Sequence, residues 1–318
     1  MKKTYTVHTK YFKHTLKKPI KINHQTLTSR EGFYCIINDN ESIIGIGECA
    51  PLPGLSHESI ETIKKELEHL THIDIDKIKC NKTLPIFPTF SSSPSIQFSI
   101  ESALLMNQSK PSPCYCHKFI INLDTIPAFN KPSYIKCKIG LLDIEKEIKI
   151  IKKIIEKFPT IKYRFDANNQ LSLEEALYFI KHIPKETIDY IESPCKTAKE
   201  EAALATMTSI SIAQDSPKVP EDIPAYCKHI VLKPTLIGNL TSYLMKLKHK
   251  KNIIFSSAYE SIIGLSGIAY LASHLSPNQH HGLNTNHIFT HTSNNQTSLF
   301  TPLNLEESIN WIKTHGFT

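Results

Sequence analysis

The chain has 318 residues, a formal net charge of +7, 40% apolar residues and 21% charged residues. That length is enough for a large core plus a smaller domain, and the composition is ordinary for a globular protein. The first residues include two lysines but no apolar stretch behind them, and no apolar run approaches the roughly 20 residues of a membrane span. We therefore expect neither a signal peptide nor a membrane partner.

The basic residues and the cysteines argue against two further classes of protein. Much of the lysine excess lies on predicted helix faces, as at 143–158, without interleaved aromatic residues, so we expect no nucleic-acid partner. The eight cysteines form no disulfide-like framework, which predicts a cytoplasmic protein. The Cys-x-Cys-His cluster at 114–117 lacks the spacing and the fourth ligand of a zinc site. It is expected to lie in a loop, as are His280 and His281.

An antiparallel hairpin and two helices are predicted in the first third of the chain. Residues 33–48 contain two β-prone runs around a polar turn at 38–41. Residues 57–70 carry apolar side chains at helical spacing, and Pro94 can open a second helix. Strands followed by helices predict a small α+β domain over residues 1–112.

From about residue 118 the pattern becomes an alternation of strands and helices. About seven such units fit within residues 113–285, and residues 286–318 are predicted to pack back on the first domain. Five segments in this region each contain a β-prone run that ends in a charged residue. The spacings between these charged residues fit a strand, a helix and two loops. These segments are 134–140, 163–168, 190–194, 212–217 and 230–238. Capping boxes, Ser172 with Glu175 and Thr197 with Glu200, predict the starts of two intervening helices.

Three of the strand-end charges are acids. The carboxyl ends of parallel strands meet on one rim of a barrel, so Asp166, Glu192 and Asp215 should lie near one another. They supply only carboxylate oxygens, which favours Mg²⁺, or Mn²⁺, over zinc. A single strand-end acid can equally be a helix cap or a salt-bridge partner, but three on successive strands indicate a metal site.

Two lysines flank these acids. Lys138 and Lys233 each end an apolar strand, and either can be a structural partner of the acids. Alternatively, each can act as a base, because a nearby cation and partial burial lower the pKa of an ammonium group. On nearly opposite sides of a barrel, two lysines would address both faces of one substrate carbon. A metal would then hold the substrate carboxylate during removal of the α-proton.

The order Lys-x-Lys, Asp-Ala-Asn, Glu-x-Pro, Ala-x-Asp and Lys-Pro resembles the enolase superfamily in its muconate-lactonizing-like branch, and within it the o-succinylbenzoate synthase family of menaquinone biosynthesis. The resemblance implies an α/β fold, a (β/α)7β modified TIM-type barrel with an N-terminal α+β capping domain. The resembling stretches cover residues 30–56, 136–140, 164–168, 191–197, 212–216, 231–240 and 256–269.

The resemblance also implies roles for individual residues. Lys138 would be the base, Lys136 would support it, and Lys233 would stabilise the enolate from the opposite face. Asp166, Glu192 and Asp215 would be the Mg²⁺ ligands. The implied substrate contacts are Arg164, Asn168, Ser256, Ser257 and Gly282 in the barrel, with Pro53 and Gly54 in a cap loop that closes over the site.

The implied activity is a carbon–oxygen lyase reaction, the Mg²⁺-dependent dehydration of 2-succinyl-6-hydroxy-2,4-cyclohexadiene-1-carboxylate to 2-succinylbenzoate. The partner is thus a small-molecule carboxylate, and the protein is a monomer or a homo-oligomer. An N-acylamino acid racemase or dipeptide epimerase would use the same lysines and metal. A non-catalytic barrel that only binds a ligand would have lost a lysine or an acid, and none is missing. Ser193 and Ser216 stand where the family often has acids, which leaves the metal ligands in place.

Overall fold

A four-stranded antiparallel sheet and two helices form the N-terminal part of the protein. The computed structural model describes residues 3–79, 85–108, 112–120, 123, 132–215, 220–247, 251–293 and 297–315. The strands lie in the order β3-β2-β1-β4. In chain order the elements are β1 (Thr4–Ile22), β2 (Gln25–Asp39), β3 (Ser42–Cys49), α1 (Ile60–His69), β4 (His72–Asp74) and α2 (Pro94–Gln108).

The predicted hairpin is confirmed, and a second hairpin precedes it. β2 and β3 pair antiparallel, with Asp39 opposite Ser42 across a two-residue turn. Asn40 in that turn has a φ of 54°, a left-handed conformation that asparagine tolerates. β1, which the sequence pattern did not predict, pairs antiparallel with β2 and turns at Asn23, whose φ is 51°. The β1–β2 ribbon is long enough for its turn to reach the edge of the barrel.

A parallel sheet of seven strands, β6 to β12, follows in chain order. Short 3₁₀ turns occupy residues 185–187, 220–222 and 286–288. The remaining elements are β5 (Cys114–Tyr115), β6 (Lys118–Ile120), β7 (Tyr134–Lys138), α3 (Ile144–Lys157), β8 (Lys162–Asp166), α4 (Leu173–His182), β9 (Ile188–Glu192), α5 (Ala198–Thr208), β10 (Ile212–Asp215), β11 (Cys227–Leu232), α6 (Pro234–Ile237), α7 (Leu240–Met245), β12 (Asn252–Phe255), α8 (Ile262–Leu275), β13 (Leu299–Phe300) and α9 (Leu305–His315).

Residues 281–282 close the sheet into a barrel. The backbone N–H of Gly282 donates to the Phe255 carbonyl at the end of β12, at 2.8 Å. On the other edge, the N–H of His117 donates to the His281 carbonyl at 3.1 Å. One short segment therefore joins both edges of the sheet, which agrees with a modified barrel of seven regular strands. His281 is fully buried in this closure, so its assignment to a polar loop is wrong.

The barrel helices follow the predicted pattern. α3 buries the stripe formed by Ile148, Ile151 and Ile154 against the strands. None of the helices in the described part of the chain is long and apolar enough to span a bilayer. Both predicted capping boxes are present, Ser172 with Glu175 at α4 and Thr197 with Glu200 at α5.

The antiparallel sheet is joined to the barrel through buried polar contacts. Glu48, at the end of β3, accepts hydrogen bonds from the backbone N–H groups of Ser261 and Gly264 at 3.0 Å each. The carboxylate thus lies at the N-terminus of α8, where a negative charge is favoured. At the other end of the chain, Ile312 of α9 packs with Phe12 and other apolar residues of the antiparallel sheet. The division of the chain at residues 112 and 285 remains a prediction.

A buried carboxyl group at this junction predicts a pH dependence of stability. Glu101 of α2 is buried, accepts a hydrogen bond from Gln97 at 2.6 Å, and burial raises its pKa to about 8 from 4.5. Since the folded state keeps a proton that the unfolded chain loses, stability falls as the pH rises through this window. Because of this group, the free energy of unfolding falls by about 1.4 kcal/mol for each pH unit.

Glu101→Gln should therefore remove a downward slope in the free energy of unfolding between about pH 5 and pH 8. Urea unfolding at four pH values measures it. Glu68→Gln, on the exposed face of α1, serves as the matched control and should keep the wild-type slope. An unchanged slope in Glu101→Gln would show that Glu101 is ionised in the folded protein.

Candidate active site

A cavity of about 240 Å³ lies at the carboxyl ends of the barrel strands and is partly covered by the antiparallel domain. Lys21, Ile22 and Asn23 from the β1–β2 turn line it, together with Leu52 and Leu55 from the loop after β3. The predicted residues that line its barrel side are Lys136, Lys138, Asp166, Asn168, Asp215, Lys233, Ser256, Ser257 and Gly282. The structure thus brings most of the predicted site into one space.

Lys136 lies between two of the predicted metal ligands. Its Nζ is 3.0 Å from Asp166 Oδ2 and 2.8 Å from Glu192 Oε1. The register of the sheet explains this, because Lys138, Asp166 and Glu192 are opposite one another on neighbouring strands and Lys136 lies one inward-facing position below. Burial by itself would lower the pKa of Lys136, but the Asp166 and Glu192 carboxylates outweigh it and raise that pKa well above its usual range.

Lys233 is paired with the third acid. Its Nζ lies 2.6 Å from Asp215 Oδ1 and 2.5 Å from Asp215 Oδ2. Burial opposes the charge on Lys233, but the Asp215 and Glu192 carboxylates prevail and raise its pKa. This corrects the expectation of a lowered pKa and corresponds to the alternative in which the lysine is a structural partner of the acids.

Lys138 differs from the other two lysines of the rim. It lines the cavity from the end of β7 and is partly exposed to it. Among the residues that the structure describes, its side chain makes no ion pair or hydrogen bond. Lys138 therefore lies beside the acids without forming an ion pair with them. A group that exchanges a proton with a ligand must be unpaired in this way.

The acids are compatible with a divalent cation. Glu192 is 1% exposed, and its Oε2 is buried without a hydrogen-bond partner. Burial raises the pKa of Glu192 to about 7, and repulsion from Asp166 and Asp215 adds to this while Lys136 opposes it. Within the described ranges, no three acids, histidines or cysteines are already gathered as a closed metal site, since Asp215 is turned toward Lys233. The all-oxygen donor set and the unpartnered Glu192 oxygen fit Mg²⁺ or a similar hard ion.

The structure corrects the prediction that Arg164 contacts substrate. Arg164 is 1% exposed and lies below the cavity, inside the barrel. Its Nε donates to Asp189 Oδ2 at 2.7 Å and its Nη1 donates to the His280 carbonyl. The rings of Tyr134 and Tyr190 flank the guanidinium at 4.8 and 4.9 Å. Arg164 is thus a structural cation of the barrel interior.

Pro53 and Gly54 do not line the cavity either. Gly54 has a φ of 87°, and its carbonyl accepts a hydrogen bond from Asn23 Nδ2 at 2.7 Å. The glycine allows the tight turn that ties this loop to the β1–β2 turn. The adjacent Leu52 and Leu55 face the cavity instead. The loop therefore lines the cavity through side chains other than the predicted Pro53 and Gly54.

Several residues of the cavity were not predicted from the sequence. His117, just before β6, and Phe119 of β6 line it, and so do Asn284 and Thr285, which follow the closing segment. Tyr259 lines it from the loop after β12. His117 lies between β5 and β6, as predicted, but it is buried, and alternation from Phe119 would have placed it on the inward face. Of the two departures from the family pattern, Ser193 has a φ of 43°, and Ser216 lies outside the described residues.

An antiparallel cap over a parallel barrel, with acids and lysines on the rim, is the architecture of the enolase superfamily. Residues 6–107 match the family model "MenC, N-terminal domain", and residues 132–216 match "Enolase C-terminal domain-like". The o-succinylbenzoate synthase of Proteus mirabilis is 30% identical, over 83% of this chain and 85% of its own length. That of Haemophilus influenzae is also 30% identical, over 81% and 83%. The chain belongs to the o-succinylbenzoate synthase family.

Solved structures agree on the fold. An o-succinylbenzoate synthase from Thermosynechococcus elongatus, described as complexed with magnesium in its active site, superposes with a TM-score of 0.69 at 20% identity. The match covers 87% of this chain and 92% of that one. An L-Ala-D/L-Glu epimerase from Bacillus subtilis superposes with a TM-score of 0.73 at 16% identity, covering 93% and 95%. Because both activities occur on this fold, the fold does not choose between them.

Proposed function

We propose that this protein is an o-succinylbenzoate synthase, which dehydrates 2-succinyl-6-hydroxy-2,4-cyclohexadiene-1-carboxylate to 2-succinylbenzoate. Membership of the synthase family supports the choice of reaction. The observation that carries the chemistry is the contrast between the lysines. Lys136 and Lys233 are ion-paired with the acids, whereas Lys138 has no partner among the described residues. Only Lys138 is free to take a proton from substrate without first breaking an ion pair.

Asp166, Glu192 and Asp215 are proposed to hold Mg²⁺, with Mn²⁺ as a possible substitute. When bound, the ion would neutralise the carboxylate of the substrate and the charge that develops there as the α-proton leaves. The bare Glu192 oxygen and the mutual repulsion of the carboxylates support this assignment. The seven described cysteines are free thiols and buried, which supports a location in the reducing cytoplasm.

Removal of the α-proton is assigned to Lys138. In its amine form the side chain accepts the proton from the carbon that bears the carboxylate. The electron pair of the broken C–H bond is first held as the enolate of the carboxylate, and it then forms a ring double bond as the bond from carbon to the hydroxyl breaks. The proton on Lys138 passes to the departing hydroxide, so that the products are the aromatic ring and water and Lys138 is again an amine. Lys136 adds a fixed positive charge beside Asp166 and Glu192. Lys233 presents a second cation from β11, where it opposes the negative charge that develops on the ring.

The succinyl chain is assigned to the side of the cavity where the barrel closes. Ser256 and Ser257 end β12, and the backbone of Gly282 passes directly beside them. A Cβ at position 282 would lie 2.7 Å from Ser256 Oγ, so any side chain there would displace this hydroxyl. The Ser256 hydroxyl is thereby kept for an oxygen atom of a succinyl group, whereas the N–H and the carbonyl of Gly282 are both used in the barrel closure.

The rival assignment is a racemase or epimerase acting on N-succinylamino acids or dipeptides. Both reactions need a base and a stabilised enolate, so the lysines cannot decide between them. A competition between the two substrate classes on one protein preparation can. We expect kcat/KM to be higher for the cyclohexadiene carboxylate, with weak or no racemisation. A higher value for an N-succinylamino acid or a dipeptide would overturn the assignment and leave the fold and the lysine chemistry unchanged.

A further inference from the structure

Tyr259 is held at the rim of the cavity in a conformation that bulky residues rarely adopt. Its φ is 61°, in the left-handed region that favours glycine and asparagine. Such a conformation is costly and persists only where the surrounding structure imposes it. Strain of this kind is concentrated at functional sites, so the contacts that impose it indicate what the residue is used for.

Arg30 of β2 holds the peptide groups on both sides of the Tyr259 Cα. Its Nε donates to the Tyr259 carbonyl at 3.2 Å, and its Nη2 donates to the Ala258 carbonyl at 3.3 Å. The same guanidinium donates to the carbonyls of Ala50 and Pro51, at 2.8 Å each. Arg30 is 2% exposed. One buried cation therefore ties the loop after β3 in the cap to the loop after β12 in the barrel.

The phenol of Tyr259 faces the catalytic groups. The residue lines the cavity together with Lys233 and Asp166. Its hydroxyl makes no hydrogen bond within the part of the chain that is described. It is also not one of the buried polar atoms that lack a partner, so it is not shut off from solvent. The hydroxyl is therefore open to the cavity. Burial raises the pKa of Tyr259, while the nearby Lys233 and Lys136 ammonium groups oppose this, so the group is a neutral donor at physiological pH.

We propose that Tyr259 contacts substrate, its hydroxyl donating a hydrogen bond to an oxygen of the substrate on the Lys233 side of the cavity, and that Arg30 is the positioning residue that aims it. The inference rests on the proposed function for the identity of the substrate. The carboxylate is the oxygen group that both candidate substrate classes share, and its charge increases as the enolate forms. A donor aimed at it would stabilise the transition state more than the bound substrate.

Tyr259→Phe tests the contact, because it removes one oxygen atom and keeps the ring and its packing. We expect kcat/KM to fall about tenfold to a hundredfold, mainly through kcat, with an unchanged melting temperature. Tyr178→Phe, a 40% exposed tyrosine on α4, is the matched control and should behave as wild type. A Tyr259→Phe enzyme within about twofold of wild type in both kcat and KM would overturn the proposal.

Arg30→Lys tests the positioning role. Lysine keeps the charge but cannot donate in the geometry that four carbonyls require. If Arg30 acts through Tyr259, the double variant Arg30→Lys/Tyr259→Phe should be no slower than the slower single variant. If the loss of rate in the double variant equals the product of the losses in the two single variants, the positioning role of Arg30 is overturned. The Tyr259→Phe result decides the substrate contact whether or not the Arg30 variant folds.

These measurements separate the inference from the proposed function. Turnover of the cyclohexadiene carboxylate by the wild-type protein tests the function. The ratio of variant to wild type, measured on whichever carboxylate the wild type does turn over, tests Tyr259. A wild type active only on N-succinylamino acids, but impaired by Tyr259→Phe, would refute the function and support the inference.

Discussion

Replacing Lys138 by alanine should lower kcat by about two to four orders of magnitude, the usual contribution of a positioned general base. The variant lacks the group that accepts the α-proton. Because Lys138 has no ion pair in the described part of the chain, its loss leaves no buried acid unpaired and the melting temperature should hardly change. The measurement is the steady-state formation of 2-succinylbenzoate, together with a thermal melt.

Two controls separate proton transfer from charge. Lys153→Ala on the exposed face of α3 should leave turnover at the wild-type level. Lys138→Arg keeps the positive charge, but a guanidinium does not give up its proton and cannot act as a base. We expect it to be as impaired as the alanine variant. If Lys138→Arg kept near-normal turnover, Lys138 would act through its charge, and the assignment of the base would be wrong.

Removing the divalent cation should have a comparably large effect. We expect EDTA to abolish turnover and added Mg²⁺ or Mn²⁺ to restore it, since three adjacent acids otherwise repel the substrate carboxylate. Glu192→Gln should cause the same loss without unfolding the protein. Titration of Mn²⁺ followed by electron paramagnetic resonance gives a readout that does not depend on activity, and it should show binding weakened at least about tenfold in Glu192→Gln.

Glu174→Gln is the matched control for this change, because Glu174 lies on the exposed side of α4. It should bind Mn²⁺ and turn over substrate as the wild type does. Full turnover by protein freed of metal, or unchanged Mn²⁺ binding in Glu192→Gln, would show that the acids serve only as partners of the lysines.

Features that depend on local pattern were predictable from the sequence. The capping boxes at Ser172 and Thr197 follow from contacts within one helix. The strand-end charges were predictable for a second reason. A parallel barrel brings the carboxyl ends of all its strands to one rim, so the proximity of Asp166 and Glu192 follows from topology without knowledge of side-chain packing.

Features that depend on long-range contacts were not predictable. β1 contains many lysines and becomes a strand by pairing with β2, and its turn at Asn23 reaches the cavity only because the cap lies over the barrel. Arg164 lies opposite Lys136 on the neighbouring strand, yet its guanidinium is bound by Asp189 and by two aromatic rings inside the barrel. Tyr259 has an ordinary sequence context, and its carbonyl accepts a hydrogen bond from Arg30, which is 229 positions away in the sequence.

The proposed reaction converts 2-succinyl-6-hydroxy-2,4-cyclohexadiene-1-carboxylate to 2-succinylbenzoate. The most direct test incubates the purified wild-type protein with this substrate and Mg²⁺ and follows the aromatic product by absorbance and mass spectrometry. We expect catalytic turnover that ceases in EDTA and in the Lys138→Arg variant. A folded, Mg²⁺-loaded wild-type protein that forms no 2-succinylbenzoate above the uncatalysed rate would contradict it.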